Sequence, residues 1–235
     1  MLPVAILAGG LATRLRPLTE TIPKSMIEIS GQPFVHWQMK MLAKENVQQI
    51  VFCLAYKSKM ISDYVGDGSQ YGIKVQYSFD GEEQLGTGGA IRKSLPLLGD
   101  KFMVLYGDSY LPINFNSVEK AFFRAKKPAL MTIFFNEGRL DASNVAFSNG
   151  KIIRYGKGQI SNDLKYVDYG LSCFESSAFP SVETHDPLDL GQICSGLANQ
   201  SLLAGYEVKE RFYEIGSFQG IRDFEEYIEE NKNVL

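Results

Sequence analysis

Residues 4–25, VAILAGGLATRLRPLTETIPKS, carry an apolar run that breaks at Gly9-Gly10 and is followed by Arg14, Arg16 and Lys24. Glycine reaches positive φ cheaply and admits close backbone approach. Gly9, Gly10 and Leu11 can therefore aim backbone N–H groups at an anion while nearby cations neutralise it. The chemistry these residues could do is the cradling of a polyphosphate. Two familiar phosphate loops fail on spacing. A Walker A loop places glycine directly before its Lys-Ser/Thr pair, where Pro23 stands here, and the G-x-G-x-x-G fingerprint is broken by Leu11 and Ala12.

Further blocks have the same grammar of an apolar run ending in a glycine and a functional group. Leu85-Gly86-Thr87-Gly88-Gly89-Ala90 opens a helical pattern over 90–98. It reads either as a helix start with Thr87 as cap or as a second close-approach surface for a ligand. Val104-Leu105-Tyr106-Gly107-Asp108-Ser109 ends an apolar run in an acid. Asp108 is either part of an ordinary Gly-Asp turn or a carboxylate placed to hold Mg²⁺, which typically takes one or two carboxylates plus phosphate oxygens.

The elements that must position these groups follow from periodicity. Apolar runs at 4–8, 50–55, 75–79, 102–106 and 129–135 alternate with amphipathic stretches such as 33–46, where Phe34, Trp37, Met41 and Leu42 share a helical face. That alternation predicts an α/β fold with a Rossmann-like, doubly wound, mainly parallel sheet. Ligands of such sheets bind beyond the carboxyl ends of the strands. From Asn144 the strands shorten, at 145–147, 151–155 and 166–174, with Asn149-Gly150 as a hairpin signal. A small antiparallel sheet on the substrate side, acting as a lid, is expected there. Residues 218–232 read as a charged amphipathic helix, with Phe218, Ile221, Phe224, Tyr227 and Ile228 able to pack inward. His36 and Trp37 read as packing residues, and His185 has no nearby ligand partners in sequence.

The 235 residues suit a single domain of this class, and 24 basic against 27 acidic residues leave a net charge of −3. The bulk electrostatics favour neither nucleic acid nor an anionic membrane. No run approaches the roughly 20 apolar residues of a membrane span, and a cytoplasmic location is the expectation. Cys53, Cys173 and Cys194 are scattered without metal-ligand spacing and read as reduced thiols.

From Leu7 to Lys24 the chain resembles the opening motif of the sugar-1-phosphate nucleotidylyltransferases, L-A-G-G-x-G-T-R-L-x-P-L-T-x-x-x-P-K, with Ala12 in place of the third glycine. The resemblance continues in the 85–90 block, in Gly107-Asp108, in Tyr155-Gly156-Lys157-Gly158, in Val167-Asp168-Tyr169-Gly170-Leu171 and in Phe212-Tyr213-Glu214-Ile215-Gly216-Ser217. It implies the nucleotide-diphospho-sugar transferase fold over 1–235, with a nucleotide-binding half at about 1–140, a sugar-phosphate half at about 141–217 and a carboxyl-terminal helix at 218–235. The implied reaction joins an NTP and a sugar 1-phosphate into an NDP-sugar with loss of pyrophosphate, assisted by Mg²⁺. Because the attacking phosphate oxygen is already ionised, positioning and electrostatics carry such a reaction without a general base.

Carried over residue by residue, the resemblance makes Arg14, Lys24 and Asp108 catalytic. Leu7, Ala8, Gly9, Gly10, Gln84, Gly86, Thr87 and Gly88 become nucleotide contacts, and Asn144, Lys157, Asp168 and Gly170 sugar-phosphate contacts. Asp108 and Glu214 become the metal carboxylates. Arg16 falls at a variable position and reads as solvated. Glu214 stands where the pattern has aspartate, and could ligate directly, act through water or be a spectator. Gly156 stands where an acid commonly binds sugar hydroxyls, a part Asp168 could take over. Among subgroups the L-G-T-G-G-A-I block looks most like the heptose 1-phosphate and mannose-1-phosphate guanylyltransferases, so GTP and heptose 1-phosphate are favoured. Uridylyl, cytidylyl or thymidylyl transfer and a non-catalytic nucleotide-sugar-binding relative are the alternatives. A glycosyltransferase is disfavoured because Asp108-Ser109-Tyr110 lacks a second acid. A homodimer is allowed by the sequence and not demanded by it.

Overall fold

A computed structural model of the chain describes residues 1–10, 13–55, 57–81, 85–136, 142–156, 161–180 and 187–232. In chain order the strands and α-helices are β1 (Val4–Leu7), β2 (Glu28–Ile29), β3 (Gln32–Pro33), α1 (Phe34–Lys44), β4 (Gln49–Leu54), α2 (Ser58–Val65), β5 (Lys74–Phe79), α3 (Gly86–Leu98), β6 (Lys101–Tyr106) and β7 (Ser109–Tyr110). They continue with α4 (Phe115–Ala125), β8 (Ala129–Phe135), β9 (Val145–Ser148), β10 (Lys151–Tyr155), β11 (Tyr166–Glu175), α5 (Leu190–Asn199), β12 (Leu203–Val208), β13 (Tyr213–Glu214) and α6 (Phe218–Glu230).

A nine-stranded sheet runs β5-β4-β1-β6-β11-β8-β12-β10-β9. β5, β4, β1 and β6 are parallel. β11 is antiparallel to both β6 and β8, and β12 is parallel to β8. The apolar runs of β1, β4 and β6 have a simple cause, since both faces of the sheet are covered there. Val4, Ile6, Phe52 and Leu105 pack into one core with residues of α1, α2, α4 and α6, while Ala5, Cys53 and Val104 pack into another with α3 and α5. All three cysteines are buried and unbridged. No helix among the described residues is long and apolar enough to cross a membrane.

The predicted strands and helices are observed with ends shifted by a residue or so, apart from the 85–98 segment, whose helix starts at Gly86. The hairpin expected at Asn149-Gly150 forms, with both residues at positive φ. It does not stand apart as its own sheet: β10 pairs with β12, so the hairpin extends the main sheet. The small antiparallel sheets are β2–β3 and β7–β13.

Strand order locates the site. The chain leaves β1 for β4 and β5 on one side and returns to β6 on the other, so the crossovers diverge between β1 and β6 and open a crevice there. At its mouth Gly107 donates its N–H to Leu7 O at 2.9 Å. A Cβ on Gly107 would lie 2.7 Å from Leu7 O and 3.0 Å from Ala8 Cα, both backbone atoms that no rotamer can move. The Gly107→Ala substitution should therefore cost about 1–3 kcal/mol, read as a lowered urea midpoint at unchanged m-value.

Candidate active site

The crevice is a cavity of about 520 Å³ floored by Leu7, Ala8, Gly9 and Gly10 and flanked by Lys24, Asp80, Gly86, Thr87 and Asp108. Gly9 is needed for close approach, because a Cβ there would come within 3.1 Å of Ala55 Cβ. Lys24 opens a short 3-10 turn, Lys24–Met26, held by Ser25, whose buried hydroxyl donates to Gly107 O at 3.0 Å. That turn aims the Lys24 ammonium at Asp108, with Nζ 2.7 Å from Oδ2. The two side chains keep 17% and 30% of their exposure, so both remain open to a ligand. A partly exposed pair of this kind contributes little to stability.

The 85–90 block divides its residues between the cavity and the contact of α3 with α5. Gly86, at φ +73°, and Thr87 line the cavity. Gly88 does not: its N–H and that of Gly89 donate to Leu188 O at 2.8 and 3.1 Å. A Cβ on Gly88 would meet Ile193 and Leu188 side-chain atoms at 3.0 Å, so that glycine serves the docking of α3 on α5. Thr87 does not cap its own helix. Its Oγ1 accepts from Leu190 N at 2.8 Å and its hydroxyl lies 3.3 Å from Asp189 Oδ2, which ties the start of α3 to the start of α5. Gln84, Lys157, Leu11, Ala12 and His185 lie outside the described residues.

Asp80 is a cavity acid that sequence reasoning missed. It lies one residue past β5, as Asp108 lies two past β6, and that position at a strand's carboxyl end was the available signal. Burial raises its pKa, opposed by the Leu85 backbone N–H and by Lys93. Cys53 also lines the cavity, and burial pushes its thiol up to about 12 despite the Ser94 hydroxyl beside it, leaving it neutral and a weak nucleophile.

Asn144, Asp168 and Gly170, expected from the sequence to meet the acceptor, come together. Asn144 Oδ1 accepts from Asp168 N at 2.9 Å, Asp168 Oδ1 accepts from Gly170 N at 3.1 Å, and Asp168 Oδ2 accepts from Tyr155 OH at 3.2 Å. The β11 ladder shifts register between Asp168 and Ser172, and Gly170 sits there at φ +103°, close to Ser109. Tyr106 lies between this group and the crevice. Its hydroxyl is held well above the usual phenol range by burial first, then by the fields of Asp168, Cys194, Asp189 and Asp108.

Glu214 and Arg14 are not among the residues that line the Lys24–Asp108 cavity. Glu214 pairs with Ser109 across β13–β7, and Ile215 N donates to Asp108 O at 3.0 Å, so the two acids are near neighbours along the backbone. The Glu214 carboxylate, however, accepts from Gly216 N at 2.8 Å and from Ser217 Oγ at 3.4 Å. It lines a separate cavity of about 660 Å³ with Arg211, Phe212 and Gly220. Exposed Arg14 reaches the same turn, its Nη2 lying 3.4 Å from where a Gly216 Cβ would stand. No group of three His, Cys, Asp or Glu side chains able to hold a metal occurs among the described residues. His36 contacts the Tyr71 hydroxyl at 3.1 Å and Trp37 Nε1 donates to Ile29 O, which makes both structural.

The nucleotidyl transferase family model matches residues 4–145. N-acetylmuramate alpha-1-phosphate uridylyltransferase of Neisseria meningitidis is 39% identical over 113 residues, 48% of this chain and 49% of that protein. D-glycero-alpha-D-manno-heptose 1-phosphate guanylyltransferase of Campylobacter jejuni is 36% identical over 114 residues, 48% of this chain and 51% of that protein. The chain spans about half the length of the curated relatives it matches. Among solved structures, HddC from Yersinia pseudotuberculosis complexed with GMP-PN superposes with a TM-score of 0.79 at 25% identity, over 97% of this chain and 100% of that one. A putative glucose-1-phosphate thymidylyltransferase from Bacillus anthracis superposes with a TM-score of 0.84 at 18% identity, over 97% and 95% of the two chains, a likeness of fold.

The tie between α3 and α5 is directly testable. Thr87→Val removes the acceptor of the Leu190 N–H and the donor to Asp189, and should cost about 1–3 kcal/mol. Hydrogen exchange should accelerate at residues 188–191 and stay unchanged in α1.

Proposed function

The chain belongs to the nucleotidyl transferase family, and from that premise we propose that it transfers a nucleotidyl group from an NTP to a sugar 1-phosphate. The observation that carries this reading is the meeting of Lys24 and Asp108 at 2.7 Å on a glycine-floored crevice. A phosphate oxygen of the acceptor attacks the α-phosphorus, the bond to the bridging oxygen breaks, and pyrophosphate leaves with the electron pair. No proton need move at neutral pH. The chain's part is to hold the reactants in line and to stabilise charge.

In this reading the Gly9 and Gly10 backbone holds the triphosphate, Lys24 neutralises the reacting phosphate, and Arg14 swings from the Gly216 turn to meet the departing pyrophosphate. Asp108 fits Mg²⁺, being a single accessible carboxylate beyond a buried strand, as that ion's preference for one or two carboxylates plus substrate phosphates requires. When bound, the ion would supply charge neutralisation on the triphosphate. Glu214 is engaged with the Gly216–Ser217 turn and supports the Asp108 backbone through β13. Asn144, Asp168 and Gly170, with Lys157, receive the acceptor, so the sheet serves as a Rossmann-like nucleotide half joined to a sugar-phosphate half, in a cytoplasmic enzyme. GTP and heptose 1-phosphate are the favoured pair, supported by the L-G-T-G-G-A-I block and the guanylyltransferase relatives. The uridylyltransferase relative at 39% identity supports UTP as the second reading.

Pyrophosphate release should be measured for each NTP against a panel of sugar 1-phosphates with Mg²⁺, and at least one pairing should turn over. Lys24→Ala and Asp108→Asn should each lower kcat/KM roughly tenfold or more, since loss of a single charge-stabilising group commonly costs that much, with melting temperatures near that of the parent. If no pairing turns over while an NTP or NDP-sugar still raises the melting temperature, the chain is a nucleotide-sugar-binding relative instead.

A further inference from the structure

We propose that Gln38 is a positioning residue that sets the Asp108 carboxylate for metal binding, an inference that rests on the assignment of Asp108 above. Gln38 lies on α1 with no exposed surface. Its Nε2 donates to Tyr106 O at 3.0 Å and to Ser109 O at 2.9 Å. Those carbonyls bracket Gly107-Asp108, the two residues between the end of β6 and the start of β7. One amide thus clamps both ends of the turn that presents Asp108.

The rest of the turn is held as tightly. Gly107 O accepts from Ser25 Oγ and Asp108 O accepts from Ile215 N, so each of the four consecutive carbonyls from 106 to 109 is held by a group outside the turn. Gln38 supplies two of those four bonds. With two carbonyl oxygens facing it, the terminal group that points at the turn must be the NH₂.

A second observation argues that this amide is present for what it donates. Gln38 Oε1 is buried with no partner among the described residues. An orphaned buried acceptor is unfavourable, and an apolar residue of the same shape would avoid it. The position lies among Trp37, Met39, Met41 and Leu42, all buried in α1, where leucine or methionine would pack without that penalty. The donors to the Asp108 turn offset the cost of the orphaned oxygen.

Displacements of about 1 Å at a catalytic group can cost on the order of a hundredfold, so a loosened turn should act on the metal more than on the nucleotide. Gln38→Met keeps the volume and removes both donors. Gln38→Glu keeps the shape, and its buried carboxyl, facing two carbonyl oxygens, is favoured in the protonated form that donates one bond.

The test titrates Mn²⁺, followed by its paramagnetic resonance signal, into protein holding an unreactive α,β-methylene analogue of the NTP that turns over. The Mn²⁺ dissociation constant and the Mg²⁺ half-saturation of turnover should rise about tenfold in Gln38→Met, with the KM for NTP within about twofold of the parent, since the loss is confined to the placement of Asp108. Gln38→Glu should fall between parent and Gln38→Met at neutral pH. It should lose metal affinity as pH rises and its carboxyl ionises, a dependence the parent lacks. Asp108→Asn separates the two layers: if it binds Mn²⁺ as the parent does, the metal assignment and the inference both fall. If Asp108→Asn loses Mn²⁺ while both Gln38 variants keep parent-like metal constants, the role of Gln38 is overturned and the assignment of Asp108 stands. Should Gln38→Met fail to fold, the Gln38→Glu metal constant and its pH profile decide alone.

Discussion

An ammonium and a carboxylate 84 residues apart in sequence meet at 2.7 Å, and everything proposed for this chain depends on that meeting. The pair does not hold the fold, because a partly exposed ion pair is worth little. The dependence runs the other way. Two apolar layers fix β1 beside β6, Gly107 lets the two strand ends approach until its N–H reaches Leu7 O, and Ser25 ties the Lys24 turn to Gly107. Cation and carboxylate are then left at the mouth of the crevice with partial access to solvent. Mutual attraction at such a site keeps both side chains extended into the space where a phosphate and a metal would compete for them.

How much of this was legible in the sequence can be judged strand by strand. The central parallel strands β1, β4 and β6 read clearly because each is covered on both sides, so apolar residues run on almost unbroken. Asn149-Gly150 read clearly because a type I′ hairpin turn demands positive φ at both central positions, and both have it. β12 was missed. Its sequence, LAGYEV, is diluted by Gly205, which is required because a Cβ there would stand 2.6 Å from Phe147 Cε2 and 2.9 Å from Ile152 Cδ1. A glycine imposed by the packing of another hairpin cannot be told locally from a strand breaker. The same pairing draws the hairpin into the main sheet.

The site was legible where backbone chemistry dictates the residue type, and illegible where a side chain had a choice of partners. Gly9, Gly10, Lys24 and Asp108 reach one cavity as expected. Gly88 looks the same in sequence whether its N–H serves a ligand or a carbonyl, and the acceptor it uses, Leu188, lies about a hundred residues away. Glu214 reads in sequence as an acid open to any partner, whereas its carboxylate accepts from the Gly216 N–H and the Ser217 hydroxyl, donors that exist because the chain turns there into α6. Gln38 carried no sequence signal at all, since a glutamine inside an apolar helical stripe reads as an irregularity in the pattern.

The crevice consequently has walls of unequal independence. Its floor and the Asp108 turn are fixed by the sheet and by four clamped carbonyls, all of them within the β1–β6 frame or its immediate supports. Its other wall, the start of α3, is held from outside. Leu188 accepts from Gly88 and Gly89 and donates to Leu85 O, while Leu190 donates to Thr87. A Cβ on Gly86 would lie 2.5 Å from Leu188 O, so the segment leading into α5 packs directly on the backbone that lines the crevice. Asp189, which caps α5, is also among the charges that act on Tyr106, together with Asp108 and Asp168. Movement of the segment leading into α5 would therefore shift this wall of the crevice and the electrostatics around Tyr106 in one step, while leaving Asp108 where the sheet has put it.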